Sequence, residues 1–226
     1  MNIDNIKIKC NASIRCSSVL YTAQDSLDGR EYEFNRGLNR MRGQIDSGIF
    51  GISYLISMYG KTPKKSDIFI YEEPQVLVNG QPMSLSELTE YSCYLDISNS
   101  LFSHKKTVRE QVTEGLGKSG LPYTADKICE MFGMEPFRFD RPIRGTGNER
   151  YKAMAAIGFS LGKQVFCFPW LSEKGFKATN NHMPYLVEIL SDDGKIVILP
   201  AANELDDIAY TEDFLSVKDE FKRKWK

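Results

Sequence analysis

Residues able to do acid–base, nucleophilic or metal chemistry are few in this 226-residue chain. Its two histidines, His104 and His182, stand in unlike surroundings, and no Ser-His-Asp or Cys-His arrangement follows from them. Five cysteines (Cys10, Cys16, Cys93, Cys129, Cys167) are widely spread without a CxxC pair. With so few histidines beside them, a zinc site is not expected; small buried hydrophobes in a reducing compartment fit their pattern. The carboxylate pairs Glu72-Glu73, Asp192-Asp193 and Asp206-Asp207 have no partner base, nucleophile or ligand near them in sequence and read as solvated. What remains is a glycine loop. Gly43-Gln44-Ile45-Asp46-Ser47-Gly48 has the GxxxxG spacing of a loop whose backbone N–H groups wrap a phosphate at a helix start. Seventeen glycines in 226 positions supply about one such spacing by chance, and Gly115 to Gly120 is a second. The spacing alone therefore leaves two readings open, a tight structural turn or a weak, magnesium-free anion site.

The elements that would position this loop follow from periodicity. Ile3 to Lys9 alternates apolar and polar residues as a half-buried strand does. Ser17 to Thr22 is a second short strand, and a turn at Asp28-Gly29 leads to a third. The loop is followed by an apolar helix stopped by Gly60 and Pro63. DIFIYEE and QVLVNG read as two strands, the latter ending in an Asn79-Gly80 turn, and Ser84 with Glu87 makes a capping box for a short helix. YSCYLDI is expected to be a strand, and KKTVREQVTEGL and TADKICEMFGM are helical in pattern. YKAMAAIGFSL reads as a helix and KQVFCFPWL as a buried strand. YLVEIL, the DDGK turn and KIVILP are expected to form a hairpin, and the tail TEDFLSVKDEFKRKWK a charged amphipathic helix. That tail suits a solvated helix end, or contact with a membrane surface or partner.

Composition narrows the function classes. At 42% hydrophobic and 26% charged residues, the chain is an ordinary globular one, which excludes disorder and fibrous repeats. A formal charge of −1 gives no global pull toward nucleic acid or anionic lipid. MNIDNIKIKC has no apolar segment of signal-peptide type, and the most apolar stretch, Ile157 to Leu171, is broken by Lys163 and Gln164, so no transmembrane segment is expected. Strands alternating with helices point to an α/β fold.

The order of features around the loop is more specific than the loop. After its helix come VLVNGQPMSLSELTE from Val76 and YSCYLDISNSLFSHKKTVREQV from Tyr91, then a helical stretch. RGTGNER from Arg144, an alanine-rich helix and VFCFPW from Val165 follow. From about Ile3 to Ile198 this order resembles the ATP-binding cassette (ABC) ATPase family, with Leu101 to Val112 as the most specific match to the segment that opens the family's helical subdomain. The resemblance implies a P-loop NTPase-like, cassette-like α/β core with an antiparallel β subdomain and a helical insertion. It implies one domain over 1–226, with 1–96 and 144–226 as the core and 97–143 as the helical subdomain.

The same resemblance implies lost chemistry. In the family pattern GxxxxGK[ST], the lysine neutralises phosphate and the hydroxyl holds magnesium; Ile49 and Phe50 stand at those positions here. Two lost charge-assisted hydrogen bonds, at about 1.5–3 kcal/mol each, imply roughly 10²- to 10⁴-fold weaker Mg-nucleotide binding. The glutamine position falls at Asp96. The LSGGQ signature falls at Gly145-Thr146-Gly147-Asn148-Glu149, and the Walker B aspartate and catalytic glutamate fall at Pro169 and Trp170. Neither of the last two can ligate a metal or accept a proton. The resemblance thus implies a pseudo-ATPase with no catalytic residue, no metal and weak or absent ATP binding. Its vestigial nucleotide site would be Gly43, Ser47, Gly48, Thr146 and Gly147.

Such a chain would act as a subunit or scaffold of a transport-type complex. Its partners would be a membrane permease, a competent cassette or a second copy of itself, with no nucleic acid. It would be cytoplasmic, or peripheral at the inner face of the membrane. The alternative is a soluble regulatory or interaction module on the same fold without nucleotide chemistry. Phe102, beside Leu101 and ahead of Lys105-Lys106, is the expected aromatic anchor on the insertion's surface, and His104 an exposed loop residue.

Overall fold

Thirteen residues of alternating character set the first layer. The computed structural model describes residues 1–17, 22–43, 47–61, 67–172 and 183–201. Strand β1, Asn5–Ser17, turns Ile6, Ile8, Cys10, Ala12 and Ile14 into the core and alternates them with solvated lysines and polar residues. Antiparallel partners flank it: β2 (Thr22–Ser26) and β3 (Arg30–Asn35) along one edge, β5 (Ile68–Val78) along the other, with the short β6 (Gln81–Pro82) beyond. The Asp28-Gly29 turn joins β2 to β3, with Gly29 at φ 66°. The two strands expected across residues 67–80 are one continuous strand. Pro74 is absorbed where the register with β1 shifts between Lys9, Asn11 and Ala12, since a bulge needs no amide proton from it.

The second sheet is parallel, in the order β4 (Gly37–Arg42), β9 (Ile196–Ala201), β8 (Val165–Cys167), β7 (Ser92–Tyr94). All of β8 and β9 is buried, as expected of parallel strands covered on both faces. Strand β4 has no apolar signature in the sequence because its interior carries Asn39 and Arg40, polar yet buried. Asn39 satisfies itself locally: its amide donates to the carbonyls of Asn35 (2.7 Å) and Gly37 (2.9 Å), and its oxygen accepts the Asn35 N–H.

The expected hairpin near residue 190 is corrected. YLVEIL lies in helix α7, Met183–Asp192, and KIVILP forms β9, which pairs in parallel with β8 and β4. The buried set Met183, Leu186, Val187 and Leu190 is spaced as a helix requires, but a six-residue apolar run read alone does not reveal that period.

Helix α1 (Ile49–Met58) is buried along its whole length between the two sheets, packing on β1 and β2 on one side and on β7, β8 and β9 on the other. Helix α2 (Leu85–Glu90) carries the expected cap: Ser84 Oγ accepts the Glu87 N–H at 3.1 Å. The opposite face of the parallel sheet is covered by α3 (Val108–Ser119), α4 (Ala125–Met131), α5 (Pro136–Phe139), α6 (Arg150–Ser160) and α7. Alternate residues of β8 feed alternate sides, Phe166 the helical side and Val165 and Cys167 the α1 side. Residues 211–226, expected as a terminal helix, lie outside the described set.

Helix α6 presses on the sheet through Gly158. A methyl group there would stand 2.8 Å from Cys93 Sγ and 3.0 Å from the Phe166 ring. Gly158→Ala is therefore expected to destabilise the protein by about 1–3 kcal/mol through overpacking, despite alanine's better helix propensity. A urea midpoint that stays or rises would contradict this packing.

Candidate functional site

Strand β4 ends beside β9, where the Gly43 N–H donates to the Ala201 carbonyl at 3.1 Å. Five positions on, Gly48 caps α1 in the left-handed region at φ 86°, a conformation that costs glycine nothing. Gln44, Ile45 and Asp46 lie outside the described residues. The loop is closed by small atoms: a Cβ at Gly43 would run into Ser47 Oγ, and one at Gly48 into the Arg30 guanidinium.

Side chains from both sheets meet this loop. Asp25 of β2, 1% exposed, accepts the Gly48 N–H with Oδ1 and the Gly51 N–H with Oδ2, the latter at 3.0 Å. Arg30 of β3 donates to the Ser47 carbonyl. The Tyr32 hydroxyl donates to the Gly48 carbonyl at 2.7 Å. Burial above all, with Asp25 among the contributing charges, raises the Tyr32 phenol well above its ordinary pKa and keeps it a donor. From β8's far end, Trp170 Nε1 donates to the Gly43 carbonyl at 3.2 Å. Ile49 (4% exposed) and Phe50 (1%) are part of the core between the sheets.

Asp25, Arg30 and Tyr32 carry no local signal in the sequence, because their partners in the loop and the first turn of α1 are 16 to 26 residues away. The one available signal was Asp25's place at an inward position of β2, between the exposed Gln24 and Ser26.

Thr146 and Gly147 sit elsewhere, on two 3-10 turns (Ile143–Gly145 and Gly147–Glu149) leading into α6. Thr146 is fully buried and its hydroxyl donates to the Ile143 carbonyl at 2.7 Å; Gly147, at φ 62°, is exposed. Their neighbours Ile143 and Tyr151 belong to the helical side of the core, whereas Ile49 and Phe50 belong to the other. Glu149, 4% exposed, accepts the Glu135 N–H at 3.2 Å and pairs with Arg138 at 3.6 Å, tying α5 to the start of α6. Asp96 is buried and accepts the Ser98 N–H at 2.9 Å, which makes it a turn residue. His104 is exposed as expected; His182 lies outside the described residues. Phe102 is a correction: at 3% exposed it packs in the helical core and offers no surface anchor.

Three lysines, Lys152 and Lys163 buried and Lys61 half-buried, do structural work. Lys61 and Lys163 donate to the carbonyls of Thr89 (3.1 Å) and Glu90 (2.5 Å), closing the C-terminus of α2, and Lys152 donates to the Gly133 carbonyl. Among the described residues no group of three metal-ligating side chains gathers, and no helix is long and apolar enough to cross a membrane.

No family model and no curated protein matches the sequence. Solved structures do match the fold. A putative ABC transporter ATP-binding protein from Pyrococcus furiosus superposes with a TM-score of 0.57 at 15% identity, covering 90% of this chain and 94% of its own. CbiO1 from Clostridium perfringens, part of the ABC transporter complex CbiONQ, gives 0.53 at 19% identity, covering 86% and 78%. A bacterial Atm1-family ABC exporter with ATP bound gives 0.55 at 13% identity; the match covers 89% of this chain and 34% of the exporter's. At these identities the likeness establishes the fold: an α/β, P-loop NTPase-like fold of the ABC-cassette kind.

Two outcomes follow from the site. Gly48→Ala forces a side chain into a positive-φ position already filled by Arg30, and should cost about 1–3 kcal/mol in chemical denaturation; an unchanged midpoint would contradict the loop geometry. Burial pushes the thiols of Cys10 and Cys93 up from 9.0 to about 12. Their folded pKa is raised, so the stability they contribute is intact below pH 9 and is lost as pH rises toward about 12. Native protein should therefore resist iodoacetamide at pH 8. Rapid alkylation of Cys10 or Cys93 there would contradict their burial.

Proposed function

We propose that this protein is a pseudo-ATPase, a cassette-like chain that acts as a subunit or scaffold of a transport-type complex and does not hydrolyse ATP. The observation that carries the proposal lies at the first turn of α1. Where the resembled loop has its lysine and its magnesium hydroxyl, this chain has Ile49 and Phe50, both buried in the core between the sheets. A charged lysine packed in that apolar setting would be desolvated, and the burial of Ile49 and Phe50 supports a loop that does not neutralise phosphate. At the resembled carboxylate positions, Pro169 offers no ligand, and Trp170 is a donor to the loop carbonyl of Gly43 and no proton acceptor.

The vestigial site of this proposal is Gly43, Ser47 and Gly48 on the loop, with Thr146 and Gly147, which lie apart from it in this chain, facing the loop of a partner cassette; ATP binding is weak or absent, with neither metal nor catalytic group. The domain is taken as a single cassette over 1–226, with 97–143 as its helical subdomain inserted in a core of 1–96 and 144–226. CbiO1, a structural neighbour, is part of a transporter complex. That supports a membrane permease, a competent cassette or a second copy of this chain as partner, and a place in the cytoplasm, peripheral to the inner face of the membrane.

A steady-state phosphate-release assay tests the proposal. Purified protein with millimolar Mg-ATP should stay at background. Turnover that co-purifies with the folded protein and vanishes in Ser47→Ala would overturn it.

A further inference from the structure

The cap on α1 does not come from α1's own chain neighbourhood. An N-cap side chain ordinarily accepts the N–H groups that open a helix, but the cap here is Gly48, which has none. Asp25, 23 residues earlier on the antiparallel sheet, performs that task from outside, spanning the N–H groups of Gly48 and Gly51 with its two oxygens. A carboxylate buried to 1% exposure costs a great deal unless it is hydrogen-bonded, and the positive end of a helix is one of the few places in a core that stabilises it.

The surroundings are shaped for this carboxylate. Gly51 stands in the first turn of α1, where glycine is about 1 kcal/mol poorer than alanine. A Cβ there would lie 3.0 Å from Asp25 Cβ, 3.1 Å from Asp25 Oδ2 and 3.3 Å from Ile14 Cβ. Glycine at 51 thus lets β1 and β2 bring the carboxylate down onto the helix. Arg30 and Tyr32 hold the carbonyls of Ser47 and Gly48 from the same sheet, while the N–H groups of Gly48 and Gly51 face Asp25.

We propose that Asp25 is an internal substitute for an anionic ligand. Its carboxylate occupies the position at the α1 N-terminus that a phosphate would take in a loop of this spacing, and so holds the Gly48–Gly51 segment in place. The proposal rests on the reading of the loop as phosphate-loop-like, and it adds which group of the protein satisfies the N–H groups of Gly48 and Gly51 at its end. Its consequence is a site autoinhibited by its own antiparallel sheet: any phosphate must first displace a buried, doubly hydrogen-bonded carboxylate.

Anion rescue tests it. Asp25→Ala removes the carboxylate and should lower Tm by about 3–6 °C, the range for losing a good helix cap in a protein of this size. Inorganic phosphate or pyrophosphate at millimolar concentration, against sodium chloride of equal ionic strength, should then recover part of that loss in the variant and shift the wild type less. An Asp25→Ala protein as stable as wild type, or one whose loss no anion recovers beyond the wild-type response, overturns the proposal. If that variant does not fold, wild-type protein still decides the matter by amide NMR. The Gly48 and Gly51 resonances should be protected without ligand and unmoved by phosphate; shifts on adding phosphate overturn it. Phosphate-induced shifts without ATP turnover would sink this proposal alone. ATP turnover with both resonances unmoved would sink the functional reading and leave the Asp25 contact standing.

Discussion

Helix α1 is buried on every side, so the N–H groups that open it cannot turn to water and must find acceptors inside the protein. The choice of acceptor decides much of the rest. Asp25 supplies it, which fixes the position of β2 over the helix and demands glycine at 51, while Arg30 crowds the Gly48 Cβ position and joins Tyr32 on the loop carbonyls. The antiparallel sheet, the loop and the parallel sheet meet here, for Trp170 and β9 hold the loop's other end at Gly43.

That junction also shows how the start of α1 is held by groups of the protein itself. In a loop that binds phosphate, the ligand's oxygens satisfy the backbone donors. Here a protein carboxylate does so, and the side chains that follow, Ile49 and Phe50, contribute to the core. A fold of the ABC-cassette kind and a loop without its charged residues are therefore compatible, because the groups that order the loop come from a different strand.

Much of the architecture was legible in the sequence. The alternation of β1, the Ser84 cap, the helices α3, α4 and α6 and the apolar strand β8 each carry a local pattern of period or punctuation. Failures fall where the deciding interaction is not local. Strand β4 hides behind Asn39 and Arg40, whose burial depends on neighbours far along the chain. Phe102 stands next to lysines in sequence yet turns into the helical core, and α7 shows its period only when Met183 is counted with the run that follows. The loop itself was found from glycine spacing, but the residue that fills it was not. Asp25 is an ordinary polar residue in a short strand until the sheet carries it across to Gly48.

The central claim is that the loop is already occupied by the protein's own carboxylate. A crystal structure grown with excess Mg-ATP tests it most directly. The account predicts Asp25 on the Gly48 and Gly51 amides and no triphosphate density at the start of α1. Phosphates seated between Gly43 and Gly51, with Asp25 displaced, would contradict it.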